Sequence, residues 1–164
     1  MPRGWPTGTA TAMAEGIWKP HVTVAALVRR GERFLLVREW VNGREVLNQP
    51  AGHLDPGESF EQAVIRETLE ETAYPFTPTG LLGIYRFIPE EGVRETHIRL
   101  AFTGEVGEQR DLPLDQGIIG PVWMSLQELE ASRDRHRGPM VLQCILDSLR
   151  KPAYPLELFS PEFL

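Results

Sequence analysis

The stretch from Gln49 to Pro75 restricts the fold more than any other, because a segment with no regular period gives way abruptly to one patterned as a helix. QPAGHLDPG, Gln49 to Gly57, lacks an apolar repeat and carries two prolines and two glycines, so it reads as a loop. Within it Asp55-Pro56-Gly57 suits a tight turn, since proline presets φ and glycine accepts a positive one. Ser59 followed three residues later by Gln62 forms a capping box, and a helix is expected from there to about Ala73, ended by Pro75. Phe60, Ala63, Val64 and Thr68 share one face of it, so this helix must lie on an apolar layer supplied elsewhere in the chain.

That layer is a set of strands. His21 to Arg29 and Phe34 to Val37 are short Val- and Leu-rich runs joined through Gly31, and they read as a hairpin. Asn42-Gly43, between Trp40-Val41 and Glu45-Val46-Leu47, signals a type I′ turn, with the next strand ending near Asn48. Leu81 to Ile88 and Thr96 to Phe102 form a second pair, linked by an acidic turn at Pro89, Glu90, Glu91 and Gly92. After a polar loop from Gly107 to Gly120 come a short strand, Pro121 to Met124, and a capped helix from Ser125 to about Ala131. Pro139 then opens a last helix through Arg150, and the proline-rich end is irregular.

At 164 residues and 41 % hydrophobic, the chain suits one domain, expected over residues 17–164; residues 1–16 read as a disordered tail in which Met13 is a candidate start. Val22 to Val28 falls well short of the roughly 20 apolar residues that span a bilayer. Seventeen basic against 23 acidic residues leave a net charge of -6, which argues against general affinity for nucleic acid or an anionic membrane. The lone Cys144, among apolar neighbours, excludes a disulfide framework and fits a buried thiol in a reducing, cytoplasmic setting.

The acidity is concentrated where the helix begins. Glu58, Glu61, Glu67, Glu70 and Glu71 crowd one segment, and helical spacing puts Glu67, Glu70 and Glu71 on one patch. Like charges so placed destabilise a helix and raise one another's pKa unless a cation sits among them. Hard oxygen donors favour Mg²⁺, with Mn²⁺ as a substitute. Arg66 stands four residues before Glu70 and eight after Glu58, within reach of both, and Gly52 lacks a side chain that would keep its carbonyl from an ion.

Gly52, five residues, Glu58, seven residues, Arg66-Glu67, two residues, Glu70-Glu71 resembles the signature of the Nudix hydrolases. Thr68, Ala73 and Tyr74 depart from it, standing where the family has an aliphatic residue, a glycine and an aliphatic residue. KPHVTVAALV, NQPAGHL and AYPLELF are further similar to its NudJ-type phosphatase branch, so the likeness covers most of the chain from Ile17. The resemblance implies an α/β (α+β) fold, a mixed sheet sandwiched between helices. It also implies Mg²⁺-dependent hydrolysis of nucleoside tri- and diphosphates, and of thiamin-related pyrimidine pyrophosphates, with release of orthophosphate.

On this reading the metal ligands are Glu67, Glu71 and the Gly52 carbonyl. Glu70 serves as a further ligand or as the base, and Glu58 is a partner of Arg66 or a ligand to another ion. Asp115, then Asp111, is the alternative base. Arg38, Arg86, Arg99 and His53 are candidates to hold phosphate, and Trp40 and Tyr85 to stack on a base. His21 and His97 read as packing residues, and the run around His136 as a solvated loop. The expected partner is a small phosphorylated molecule and the protein a monomer or homodimer. Hydrolysis of dinucleoside polyphosphates or of RNA 5′ ends, and nucleotide sensing without catalysis, are the alternatives.

Overall fold

The computed structural model describes residues 18–88 and 95–160. Seven strands and three helices follow one another as β1 (His21–Arg30), β2 (Arg33–Val41), β3 (Arg44–Asn48), β4 (Ala51–His53), α1 (Phe60–Thr72), β5 (Phe76–Phe87), β6 (His97–Val106), β7 (Ile118–Ser125), α2 (Leu126–Ala131) and α3 (Met140–Arg150). The expected tail at residues 1–16 and the acidic turn at Pro89–Gly92 lie outside the described residues.

β1 is apolar on both faces from Val24 to Val28, the pattern of a strand covered on two sides. It runs parallel to β6, whose other edge takes β5 antiparallel, and its first half also pairs with β4. Beyond Val28 β1 turns into β2, which carries β3 and β7 on its two edges. The hairpin between β2 and β3 is the predicted one, with Asn42 at φ 49° and Gly43 at φ 79°, both in the left-handed region that a type I′ turn requires.

Two cores follow from the alternation. Val24, Ala26, Val28, Leu100 and Phe102 face α1, where Ala63 and Val64 meet them. Leu27, Ala101, Leu36 and Leu82 face the other way, onto Val141, Leu142, Cys144 and Ile145 of α3. A mixed sheet therefore lies between helices, as expected, and Cys144 is buried in the second core. Among the described residues no helix is long and apolar enough to cross a membrane.

Two expectations need correction. The run from Gln49 to Gly57 is not wholly loop: Ala51–His53 pairs with Thr23–Ala25 as β4, because β1 had an open edge that three residues suffice to cover. β5 begins at Phe76, five residues earlier than the apolar run suggests, and register shifts near Pro78 and Gly80 absorb its irregular sequence.

Candidate active site

The site grows from the start of α1. Ser59 and Gln62 close the predicted capping box, which sets where the helix begins and so which residues face the sheet. At the other end Ala73 takes φ 57° and its N–H bonds the Leu69 carbonyl, ending the helix in a left-handed turn that costs alanine roughly 1–2 kcal/mol. Thr68, fully buried, satisfies its hydroxyl on the Val64 carbonyl at 2.7 Å, so a polar residue sits at this core position without an orphaned group.

Arg66 is the hub. Its Nε donates to Glu58 Oε1 at 2.5 Å and Nη2 to Glu58 Oε2 at 2.9 Å, a forked pair that holds the Glu58 carboxyl below the usual range. Nη1 donates to Glu67 at 2.8 Å and Glu70 at 3.1 Å, and Nη2 also reaches the His53 carbonyl at 3.0 Å. The loop, β4 and α1 are thus tied by one guanidinium.

Glu67 and Glu71 are the buried carboxylates of the group. Glu67 lies so close over Gly52 that a Cβ there would overlap its carboxyl group. Burial raises its pKa against the opposing pull of Arg66. Among the described residues Glu71 has no cationic partner; its Oε2 accepts the Ala51 N–H at 2.9 Å. Burial pushes its pKa up to about 9, the Ala51 N–H opposing and the charges of Glu39, Glu67 and Asp115 adding to the rise. Glu70 is turned aside towards Arg66 and more exposed, so the three carboxylates share the helix face but not one environment.

Among the described residues no three His, Cys, Asp or Glu side chains are arranged about a common point as a finished metal site. The donor chemistry nevertheless fits a hard divalent cation. Burial makes both carboxyl groups reluctant to ionise in the metal-free fold, a penalty that a divalent cation would offset, and Gly52 carries no side chain beside one of them.

These groups form one wall of a cavity of about 700 Å³. Gly52, His53, Glu67, Glu71 and Arg99 line it together, with Trp40 at its rim. Asp115 sits beside the end of α1, its N–H bonded to the Glu70 carbonyl at 3.0 Å, and its charge is felt by both Glu67 and Glu71. Arg38 is not brought into the cavity; it lies opposite Gly120 on the edge shared with β7. Arg86 is exposed, and Tyr85 is committed to Asp147 of α3 at 2.8 Å.

His97 stacks on His21 with ring centroids 5.0 Å apart, the packing role expected of both, and His53 stands 5.5 Å from His21; of the three, His53 and His97 line the cavity. Burial, then the two neighbouring rings, hold the His97 pKa low. The Arg133–Arg137 connection is not a simple solvated loop: His136 is buried, Arg135 pairs with Glu45 at 2.5 Å, and Arg137 pairs with Glu39.

Glu39 is the residue that sequence reasoning passed over. It is buried in the cavity wall, accepting from Asn48 at 3.1 Å and from Arg137. The signal was its position in β2, where alternation places it on the same side as Leu35 and Val37, a carboxylate on an inward-facing row.

The NUDIX domain profile matches residues 19–144. The phosphatase NudJ of Escherichia coli is 35 % identical over 146 residues, 88 % of this chain and 93 % of that protein. A solved NUDIX hydrolase from Nitrosomonas europaea superposes with a TM-score of 0.84 at 43 % identity, covering 88 % of this chain and 98 % of the other. A bifunctional NMN adenylyltransferase/ADP ribose pyrophosphatase from Francisella tularensis, solved with AMP and a manganese ion, superposes with a TM-score of 0.60 at 25 % identity over 80 % of this chain and 42 % of that one.

Proposed function

The chain belongs to the Nudix hydrolases, and from that premise we propose that it hydrolyses phosphoanhydride bonds of nucleoside tri- and diphosphates and of thiamin-related pyrimidine pyrophosphates, releasing orthophosphate with Mg²⁺ as cofactor and Mn²⁺ as substitute. The observation that carries this reading is the pair of buried carboxylates, Glu67 and Glu71, at the wall of a cavity large enough for a small phosphorylated molecule.

Glu67 and Glu71, with the Gly52 carbonyl, would hold the ion, with Glu70 a further ligand or the base. A divalent ion bound there supplies positive charge to phosphate oxygens and lowers the barrier to in-line attack by water. Arg66 and Glu58 keep the wall rigid: the fork between them fixes the guanidinium, which in turn fixes Glu67. Glu70 is the first candidate to take the proton of the attacking water. Asp115, exposed and next to Glu70 through the backbone, is the second. His53, the strand residue after Gly52, lines the same cavity and is the candidate to meet the phosphate.

A phosphate-release screen over nucleotides and thiamin-related pyrophosphates, run with Mg²⁺, with Mn²⁺ and with chelator, tests the proposal. Orthophosphate released from simple nucleotides only when a divalent ion is present is the expected result. Turnover confined to bridged dinucleotides or to RNA 5′ ends would replace the substrate assignment, and undiminished turnover in chelator would remove the metal.

A further inference from the structure

The cavity has a second charged region, opposite in sign to the Glu67–Glu71 wall. Arg99 is 8 % exposed, and its Nε makes no hydrogen bond among the described residues. No carboxylate of those residues lies within ion-pairing distance of it. Beside it, as its register partner on the adjacent parallel strand β1, stands Thr23, whose Oγ1 is also buried and without a partner among the described residues. Both residues line the cavity.

Such groups are rare in a folded interior, since a buried donor left without an acceptor is costly and an unpaired buried charge more so. Two of them side by side on one floor mark a place where a ligand completes the set. The floor is built to stay in position. The Arg99 guanidinium lies over the Phe87 ring at 5.3 Å, and Arg137, a half-exposed arginine that also lines the cavity, is already paired with Glu39.

The complementary ligand is an acceptor, and a cation without a counter-charge selects an anionic one. We propose that Arg99 and Thr23 form an oxyanion subsite holding the phosphoryl group of the substrate that is not held at the Glu67–Glu71 wall. The proposal rests on the reading of the site as a phosphohydrolase and adds to it: one cavity offers a cation place and an anion place, so a diphosphate unit is recognised at both ends. Substrates with two adjacent phosphoryl groups are preferred to monophosphates on this account.

Binding of inorganic phosphate to the full-length, metal-free protein in chelator, followed by calorimetry at constant ionic strength, tests the subsite without turnover. The wild type is expected to show saturable binding that Arg99→Met weakens by about tenfold or more and Thr23→Val by roughly threefold, while Glu71→Gln retains it. Sulfate, matched in ionic strength, competes at the same place if the subsite reads a tetrahedral oxyanion. Thr23→Val is near-isosteric and Arg99→Lys keeps the charge, so either carries the test if Arg99→Met does not fold.

In steady state with a nucleoside diphosphate and Mg²⁺, Arg99→Lys should raise KM more than it lowers kcat. Phosphate binding that is absent in the wild type, or unchanged in both Thr23→Val and the folded Arg99 variants, overturns the proposal. A failure of the hydrolase reading shows itself differently, as no turnover on any phosphoanhydride with the phosphate titration intact.

Discussion

Two arginines in one site stand in opposite circumstances. Arg66 retains about a quarter of its side-chain surface in water and is surrounded by carboxylates: it bonds Glu58, Glu67 and Glu70, with Asp55 at 3.5 Å. Arg99 is more deeply buried and has none among the described residues. A cation saturated by its own chain has no donors left for a ligand and works as scaffold. One kept dry and unpaired has its donors reserved. The same contrast holds among the acids, where Glu58 is fully engaged and Glu71 rests on a single backbone N–H. Groups that a ligand must complete are the ones the fold leaves incomplete.

The largest effect is expected from Glu71→Gln, which keeps an acceptor for the Ala51 N–H but removes the charge a cation needs. Metal-dependent phosphate release should fall by roughly a thousandfold, several kcal/mol of transition-state stabilisation, with circular dichroism and thermal midpoint unimpaired. Near-full activity would show that Glu71 is scaffold like Glu58 and dissolve the contrast.

Arg66→Lys sharpens it from the other side. Lysine keeps the positive charge but cannot make the forked pair with Glu58 while also reaching Glu67 and Glu70. A positioning residue of this kind should cost about 10–100-fold in kcat and leave metal-free phosphate binding unchanged. If instead phosphate binding weakened with kcat intact, Arg66 would be a ligand-binding group.

How much of this was legible depends on how far apart in the chain the partners lie. The wall around Arg66 is local: Glu58, Arg66, Glu67, Glu70 and Glu71 fall within fourteen residues, and helical geometry, together with the turn that holds Glu58 just before the helix, brings them together. The hairpin at Asn42-Gly43 and both capping boxes were readable for the same reason. The floor is not local. Thr23 and Arg99 meet because β1 pairs in parallel with a strand about seventy-five residues downstream, and no spacing rule announces that. Glu39 and Arg137 are further apart still. Arg99 was named for its residue type, whereas its burial and lack of a partner are properties of the packed sheet. β4 was missed because three residues under a proline and a glycine carry no period, and only the open edge of β1 explains them.

The smallest effect expected is on stability, and it isolates Glu71 from its neighbours. Its carboxyl group ionises with a pKa of about 9 in the metal-free fold, against 4.5 for an unconstrained glutamate. A folded-state pKa raised in this way means that the unfolded chain loses its proton first as pH rises. The contribution is therefore fully present below pH 4.5 and is lost progressively as pH climbs towards 9. Mg²⁺ favours the ionised form and should stabilise the fold more as pH rises through that window.

Thermal midpoints measured in chelator and in Mg²⁺ at the two ends of the window should diverge by roughly 5 °C more at the alkaline end. Glu71→Gln, which has no proton to lose, should flatten the dependence in chelator. A gap between the two curves that does not change with pH would mean that the ion is held without Glu71, leaving Glu67 and Gly52 to account for it.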